Sequence, residues 1–265
     1  MLSQIGKVES YLRDSIKRYG SIHLSLIDPE NFRDSDSLSE VVRKCEQAGT
    51  SGFMVGGSTV FDQKIVDDVV MMIKKMSSLP VILFPNDITG LSRHADAVWF
   101  MSLLNSMNPY FITGIQMKAA FTIKSMNLEP IPMAYIILGE GKTAGYMGYA
   151  HNVPLDEPKI AAAYALAAEF MGFRFVYLES GSGASTSIRE DIVKIVDNVL
   201  SRSYLIIGGG IRSFEEAYSL AKAGGDIIVT GNILEENIDN VYKIIEGVKK
   251  GGKDRIGKSK VQEQT

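Results

Sequence analysis

Three stretches in the second half of the chain decide its fold class: FVYLESGSG at residues 175–183, YLIIGGG at 204–210 and DIIVTGN at 226–232. Each is a short apolar run that ends in glycine. Nearly continuous apolar runs of this length are typical of parallel strands that other elements cover on both faces. The pattern therefore predicts buried parallel strands, each followed by a glycine-rich turn.

The same alternation extends outward over the rest of the chain. Apolar runs alternate with amphipathic helical patterns, and three capping boxes predict helix starts at Ser37, Ser187 and Ser213. The eight predicted strands are Ile22–Ile27, Phe53–Val55, Val81–Phe84, Ala97–Met101, Ile131–Leu138, Phe175–Leu178, Tyr204–Ile207 and Asp226–Val229.

Eight strands alternating with helices predict a single α/β domain of the (β/α)8 TIM-barrel class over residues 1–248. The length of 265 residues suits this class, which typically needs roughly 250. A doubly wound open sheet with a dinucleotide site is the alternative, but Asp28-Pro29-Glu30 follows the first strand where a glycine-rich turn is required. Residues 249–265 are polar and charged, and we expect a disordered tail there.

One connection departs from the repeat. The segment between the third and fourth strands, Pro85 to Asp96, is rich in turn-forming residues and too short for a full crossover helix. We expect the third helix to be replaced by an extended segment, with a groove in its place.

Composition excludes several classes of function. The net charge of −3 gives no general attraction to nucleic acid, and the single Cys45 excludes an internal disulfide framework. The sequence contains neither a signal-peptide pattern nor an apolar run long enough for a transmembrane segment, which predicts a cytoplasmic protein. The three histidines lack metal-ligand spacing, and we expect His23 to be a core residue.

The strongest functional signal lies where the last three predicted strands end. In a barrel, chemistry takes place at the carboxyl ends of the strands, and the loops after strands seven and eight often bind phosphate. Glycine lets backbone N–H groups approach a phosphate closely. Three glycine-rich loops in succession therefore predict a phosphate site, although each alone could be a tight turn.

Three polar side chains at the carboxyl ends of predicted strands are candidates for catalysis or metal binding. Asp28 follows the first strand and could bind Mg²⁺ with Ser58, or could serve only as a turn carboxylate. Glu179 follows the sixth strand and could accept a proton from a substrate hydroxyl. No lysine stands at these strand ends, which disfavours a Schiff-base aldolase.

In this order, the motifs resemble the geranylgeranylglyceryl phosphate synthase family. Each glycine motif alone occurs in many phosphate-binding barrels, but the combination is specific. Ser180 stands where relatives often have alanine. The matching segments are HLSLIDPE at 23–30, GGS at 56–58, FMSLLNS at 100–106, YLESGSGA at 177–184, GGGIR at 208–212 and GN at 231–232.

The resemblance implies a barrel whose third helix is replaced by an extended segment, in agreement with the short Pro85–Asp96 connection. It implies a Mg²⁺-dependent prenyltransferase that joins the geranylgeranyl group of geranylgeranyl diphosphate to the 3-hydroxyl of sn-glycerol 1-phosphate. This is the first ether-bond step of archaeal membrane lipid synthesis.

The resemblance also implies a role for each matching residue. Asp28 and Ser58 would bind Mg²⁺, and Glu179 would hold and deprotonate the attacking hydroxyl, with Tyr177 as a second catalytic residue. The predicted substrate-binding residues are Tyr177, Leu178, Glu179, Ser180, Gly181, Ser182, Gly183, Gly208, Gly209, Gly231 and Asn232.

Further expectations concern the groove and the partners. The stretches 97–116 and 131–149 would supply apolar groove residues, with Phe100, Tyr135, Ile136, Tyr146 and Tyr149 as candidates. We expect a homo-oligomer that contacts the membrane transiently for product release. Two alternatives remain open from the residues alone: an isomerase or synthase acting on a sugar phosphate, and a non-catalytic phospholipid-binding barrel.

Overall fold

Eight parallel strands form a closed barrel in the computed structural model, which describes residues 5–32, 35–236 and 238–262. The strands pair in chain order, and β8 pairs with β1 to close the sheet. The predicted barrel is therefore confirmed. The strands are β1 Ile22–Ile27, β2 Phe53–Val55, β3 Val81–Leu83, β4 Ala97–Leu103, β5 Glu129–Ile137, β6 Phe175–Glu179, β7 Tyr204–Gly208 and β8 Ile227–Thr230.

Helices connect most strands and surround the barrel. Short 3-10 turns lie at Ile88–Gly90 and Ile238–Asn240, and a π-helical turn lies at Tyr110–Gly114. The α-helices are α1 Lys7–Tyr19, α2 Ser35–Ala48, α3 Gln63–Met76, α4 Ile115–Ser125, α5 Lys142–Met147, α6 Pro158–Phe170, α7 Glu190–Val199, α8 Phe214–Ala223, α9 Asn232–Glu236 and α10 Val241–Gln262.

The connection between β3 and β4 contains no crossover helix along its fully described length. It holds only the 3-10 turn, which begins after Asp87, whose carboxylate accepts the Ile88 N–H at 2.6 Å. The expected replacement of the third helix is confirmed.

Side chains of the strands form two apolar layers. One fills the barrel interior and is continued at the amino end of the strands by Val8, Leu12 and Ile16 of α1. The other lies between the strands and the outer helices. Because side chains alternate along a strand, Tyr177 belongs to the interior layer, whereas Leu178 belongs to the outer one.

His23 is buried in the outer layer, as predicted. Its ring nitrogens lie 3.1 Å from the Thr50 hydroxyl and 2.9 Å from the Thr230 hydroxyl. Burial lowers the pKa of His23 to about 3, so the ring stays neutral. His23 therefore anchors the end of β8 and is not placed for acid–base chemistry.

The helix starts were predicted with mixed success. The capping box of Ser213 and Glu216 is present at the start of α8. The other two predictions are wrong, because α2 begins two residues before Ser37 and α7 begins after Arg189.

The predicted disordered tail is also wrong for most of its length. Helix α10 continues to Gln262, and Arg255 donates to the Asp226 carboxylate at 2.9 Å. Gly251 and Gly252 are buried against α8 and Ser21, where a side chain would collide. Residues 263–265 lie outside the described part of the chain, as do residues 1–4, 33–34 and 237 of the predicted domain. No helix among the described residues is long and apolar enough to cross a membrane.

Candidate active site

Glu179 is the last residue of β6 and is buried at the carboxyl end of the barrel. It lies beside Ile137 of β5 and Gly208 of β7. Its carboxylate accepts the Gly181 N–H at 2.6 Å and interacts with the Tyr177 hydroxyl. Strand pairing and two hydrogen bonds thus hold one carboxylate at the mouth of the barrel.

Burial raises the pKa of Glu179 into the range in which a carboxylate can accept a proton at neutral pH. Desolvation raises the pKa of Glu179 to about 7, while the hydrogen bonds from Gly181 and Tyr177 act in the opposite direction. Burial also raises the pKa of Tyr177 well above its ordinary value, so the phenol stays protonated and can donate to the carboxylate. A carboxylate that titrates near neutral pH suits proton transfer.

Two glycines at the end of β7 leave the space that Tyr177 and Glu179 occupy. A Cβ at Gly208 would lie 2.0 Å from the Tyr177 hydroxyl oxygen. A Cβ at Gly209 would lie 2.4 Å from the Glu179 Oε1, and the φ of Gly209 is +87°, where side chains are strained. The positions of the Tyr177 and Glu179 side chains therefore require glycine at both places.

A small cavity lies against Glu179 on the side of the glycine-rich loops. The side chains of Ser182 and Asn232 are hydrogen-bonded to each other and so join the β6 and β8 loops. A Cβ at Gly231 would meet only ordinary contacts, so no residue in the described part of the chain requires glycine there. The cavity is lined by predicted residues Tyr177, Glu179, Ser182, Gly183, Gly209, Gly231 and Asn232, together with neighbours including Gly210 and Arg212.

The structure does not bring every predicted binding residue to this cavity. The Leu178 side chain is buried between strand and helices, so only the backbone of this residue could contact a ligand. Gly181 lies behind Glu179 and acts through its N–H. Ser180 is buried, and its hydroxyl has no hydrogen-bond partner among the described residues.

Arg212 is a site residue that the predicted set lacked. It lines the small cavity, and its Nη1 donates to the Ala184 carbonyl at 3.0 Å. No carboxylate of the described chain forms a salt bridge with it. A guanidinium without a carboxylate partner beside glycine-rich loops favours a phosphate ligand. Its place in the GGGIR motif was the available sequence signal.

A second cavity of about 360 Å³ extends from Glu179 into the space left by the missing helix. Its polar end includes Asp28 and Ser58, and its apolar walls come from the β3–β4 connection, β4 and α4. The predicted groove residues Phe100 and Tyr135 line it, whereas Ile136 is buried in the outer layer. Tyr146 and Tyr149 are exposed on the surface instead.

Three aromatic rings stand between the apolar walls and Glu179. Phe84 stacks on Tyr177 with ring centroids 5.5 Å apart, and Tyr135 meets both rings edge-on. Phe84 was not predicted as a site residue, because its position at the end of a short apolar strand gave no distinguishing signal. Rings in this arrangement can stabilise positive charge on a bound ligand.

Asp28 and Ser58, the predicted Mg²⁺ ligands, both line the polar end of the large cavity. Asp28 accepts the Glu30 N–H at 3.0 Å, and a Cβ at Gly57 would lie 2.3 Å from its other carboxylate oxygen. Thr59 donates to Glu30 at 2.8 Å and so joins the two loops. The described residues include no cluster of three or more metal-ligating side chains. One carboxylate and one hydroxyl nevertheless fit Mg²⁺, which often takes most of its ligands from water and substrate phosphates.

Comparison with known proteins agrees with this geometry. The model of the PcrB family matches residues 14–249. Geranylgeranylglyceryl phosphate synthase of Thermofilum pendens is 49% identical over 94% of this chain and 98% of its own length. The synthase of Pyrococcus horikoshii is 47% identical over 94% of this chain and 97% of its own length.

Solved structures give the same picture. The geranylgeranylglyceryl phosphate synthase of Thermoplasma acidophilum, solved in complex with its substrate sn-glycerol-1-phosphate, superimposes with a TM-score of 0.86 at 41% identity. It covers 93% of this chain and 99% of its own. The tryptophan synthase alpha-subunit of Pyrococcus furiosus shares the fold alone, with a TM-score of 0.53 at 13% identity over 90% of this chain and 98% of its own. The chain belongs to the PcrB family, among the geranylgeranylglyceryl phosphate synthases.

Proposed function

We propose that this chain transfers the geranylgeranyl group of geranylgeranyl diphosphate to the 3-hydroxyl of sn-glycerol 1-phosphate, the first ether-bond step of archaeal membrane lipid synthesis. The observation that carries the proposal is the meeting of two cavities at one carboxylate. Glu179 lines both the small glycine-rich cavity and the large apolar groove. A phosphorylated acceptor and a long apolar donor can therefore reach the same base from opposite sides.

The small cavity would bind the acceptor. Backbone N–H groups of the glycine-rich loops and the Arg212 guanidinium would hold its phosphate. Its 3-hydroxyl would then lie against Glu179. Fixing the acceptor in this way supplies much of the rate enhancement through proximity.

The reaction breaks one bond and forms one. The bond between the allylic C1 of the prenyl group and the diphosphate oxygen breaks, and the diphosphate leaves with the electron pair. The glycerol O3 forms a bond to C1, and the hydroxyl proton passes to Glu179. Its pKa of about 7 allows the carboxyl to accept this proton at neutral pH.

The aromatic group of Phe84, Tyr135 and Tyr177 would stabilise the allylic charge that develops as the diphosphate leaves. Its rings lie within 5.2–5.5 Å of one another and adjoin Glu179. Aromatic faces attract cations without offering a nucleophile. Tyr177 has a second role, because its hydroxyl orients the carboxyl of Glu179.

Asp28 and Ser58 would hold Mg²⁺ at the polar end of the groove. When bound, Mg²⁺ would neutralise the diphosphate and so improve it as a leaving group. Asp28 lines the groove, and the missing side chain of Gly57 leaves room for its carboxylate.

The remaining features of the proposal concern the protein's surroundings. We place the enzyme in the cytoplasm as a homo-oligomer that contacts the membrane transiently when the lipid product leaves. The product carries a long apolar chain, which supports such a contact.

A prenyl-transfer assay tests the proposal. Wild-type protein would be incubated with radiolabelled sn-glycerol 1-phosphate, geranylgeranyl diphosphate and Mg²⁺, beside Glu179→Gln, Asp28→Asn and the control Glu140→Gln. Glu140 is an exposed carboxylate at the same end of the barrel that binds Lys142 and Ser185, and it lines neither cavity.

We expect lipid-soluble label from the wild type and the control, and a loss of roughly 10²- to 10⁴-fold in Glu179→Gln. Asp28→Asn should also weaken the binding of Mn²⁺, measured by electron paramagnetic resonance as a probe for Mg²⁺. Folding of each variant is verified by circular dichroism. A folded wild type that makes no product with any prenyl donor would exclude the transferase, and full activity in Glu179→Gln would exclude the assigned base.

A further inference from the structure

Helix α4 presents different chemistry on its two faces. Ile115, Ala119 and Ile123 line the large groove. On the opposite face, the side chains of Met117 and Phe121 are 68% and 84% exposed. The proposed reaction does not require large apolar side chains that are exposed on the outer side of the groove wall.

The charged side chains on α4 itself are of one sign. The sequence from residue 97 to residue 128 contains no Asp or Glu, although the whole chain has a net charge of −3. Lys118 and Lys124 lie on α4 and are exposed. We call Met117, Lys118, Phe121 and Lys124 the outer α4 face. It combines exposed apolar side chains with two exposed lysines, of which Lys118 places its Nζ 4.9 Å from the centre of the Tyr110 ring.

Further exposed apolar residues lie beside the wall of the groove. Met107 is 74% exposed, and its N–H donates to the Tyr149 carbonyl at 2.8 Å. Tyr149 in turn stacks on Phe111, which lines the groove. The connection that precedes α4 therefore also presents apolar side chains to the solvent near the groove.

We propose that the outer α4 face docks the protein on an anionic lipid bilayer. Helices that lie on a membrane surface place apolar side chains such as phenylalanine and methionine in the membrane–water interface and lysines beside the lipid headgroups. The proposal rests on the proposed function, because the prenyl donor and the ether-lipid product are amphiphiles that would pass between this groove and a membrane.

Charge argues against a second copy of the chain as the occupant. In a two-fold symmetric contact the same patch meets itself. The outer α4 faces of two copies would then meet, and each carries two lysines and no carboxylate of its own helix to pair with them. Anionic headgroups supply that negative charge.

Vesicle flotation tests the proposal on the whole chain. Vesicles of phosphatidylglycerol with phosphatidylcholine would be compared with vesicles of phosphatidylcholine alone, for wild type, Met117→Ser/Phe121→Ser and Lys118→Gln/Lys124→Gln. The matched control is Phe170→Ser/Met171→Ser. Those residues are 73% and 70% exposed at the end of α6, on the opposite end of the barrel.

We expect wild type and control to float with anionic vesicles, and the Met117/Phe121 variant to lose about fivefold or more of the bound fraction, since burial of both apolar side chains is lost. The lysine variant should lose the preference for anionic vesicles. Transfer assayed in detergent micelles should be unchanged in all variants, which separates this proposal from the proposed function.

Absence of wild-type binding, or equal loss in the control, would overturn the proposal. The same holds if sedimentation shows that Met117→Ser/Phe121→Ser converts an oligomer to a smaller species while vesicle binding persists. The face would then be covered by a second copy of the chain.

Discussion

The two ends of the barrel differ in how their charged groups are paired. At the amino end, the buried Glu9 carboxylate binds Arg13 and Arg174 at 2.6 Å, and Arg255 binds Asp226 at 2.9 Å. At the carboxyl end, Glu179 is buried without a cationic partner, and Arg212 has no carboxylate partner in the described chain. Charged groups that stabilise the fold therefore lie at the amino end of this barrel, and charged groups that can bind a ligand lie at the carboxyl end.

The largest effect on stability should come from the paired end. Glu9→Ala would leave Arg13 and Arg174 without their shared carboxylate, and we expect the free energy of unfolding to fall by roughly 2–3 kcal/mol, because both arginines are partly exposed. Urea denaturation measures this, while kcat/KM should stay unchanged. The control Asp68→Ala breaks the exposed pair with Lys64 and should leave stability nearly unchanged. A large loss of activity in folded Glu9→Ala would contradict the assignment of a purely stabilising role to the charges at the amino end.

The largest effect on activity without loss of a reactive group should come from Gly209→Ala. The new methyl would displace the Glu179 carboxylate, and we expect kcat/KM to fall by roughly 10²-fold. Gly172→Ala is the matched control: its φ is +91°, close to the +87° of Gly209, but its methyl would meet nothing within 4 Å. The control should lose about 1 kcal/mol of stability and no activity. Equal kinetic losses would show that backbone strain, and not the position of the carboxylate, is responsible.

A smaller effect is expected from Arg212→Gln. Loss of the guanidinium charge should raise the KM for sn-glycerol 1-phosphate by about tenfold with little change in kcat, because the phosphate does not react. Arg189→Gln removes an exposed arginine that already pairs with Asp191 and serves as the control. Steady-state kinetics at saturating prenyl donor separates kcat from KM. A fall in kcat at unchanged KM would instead assign Arg212 to the positioning of Glu179.

The smallest effect should follow from Ser180→Ala. The Ser180 hydroxyl is buried without a partner in the described chain, so its removal should stabilise the protein by up to about 1 kcal/mol. Ser106→Ala is the comparison, because that hydroxyl donates to the Gly148 carbonyl at 2.6 Å and should cost about 1 kcal/mol. Thermal unfolding followed by circular dichroism ranks the two variants. Destabilisation of Ser180→Ala would reveal a stabilising role for its hydroxyl.

Most of the barrel could be predicted from the sequence because its strands are apolar on both faces. The bounds of β1 and β2 were predicted correctly. At β6 and β7 the prediction stopped one residue early, because Glu179 and Gly208 were interpreted as loop residues. Strand pairing continues through both residues, and this is what fixes Glu179 rigidly at the mouth.

The errors have a common physical origin in packing that the local sequence does not show. The polar composition of residues 249–265 predicted a disordered tail, yet α10 continues through Gly251 and Gly252, which permit close packing: a Cβ at Gly251 would lie 2.5 Å from the Tyr218 carbonyl. The capping pattern at Ser187 is identical in type to that at Ser213, but only the latter precedes the first turn of a helix. Tertiary packing decides these cases, and local pattern does not reveal it.

The candidate site was predicted in part. Glycine-rich loops and one carboxylate at strand ends can be identified from spacing, so the small cavity was expected. The groove could not be assigned residue by residue. Phe84, which follows β3, lines the groove, whereas Ile136 of β5 is buried in the outer apolar layer. Which face a strand residue takes depends on register around the closed barrel.

The pH dependence of kcat/KM tests the central claim most directly, namely that an unpaired buried carboxylate at the open end accepts the proton. Activity requires ionised Glu179, so log kcat/KM should fall as pH decreases through about 7. Because the Tyr177 hydroxyl lowers the pKa of Glu179, Tyr177→Phe should move this acidic limb to higher pH. The phosphate of the substrate, with a pKa near 6, would not respond to that change. A limb that stays at the same pH in Tyr177→Phe, or a flat profile in the wild type, would contradict the assignment of Glu179 as the base.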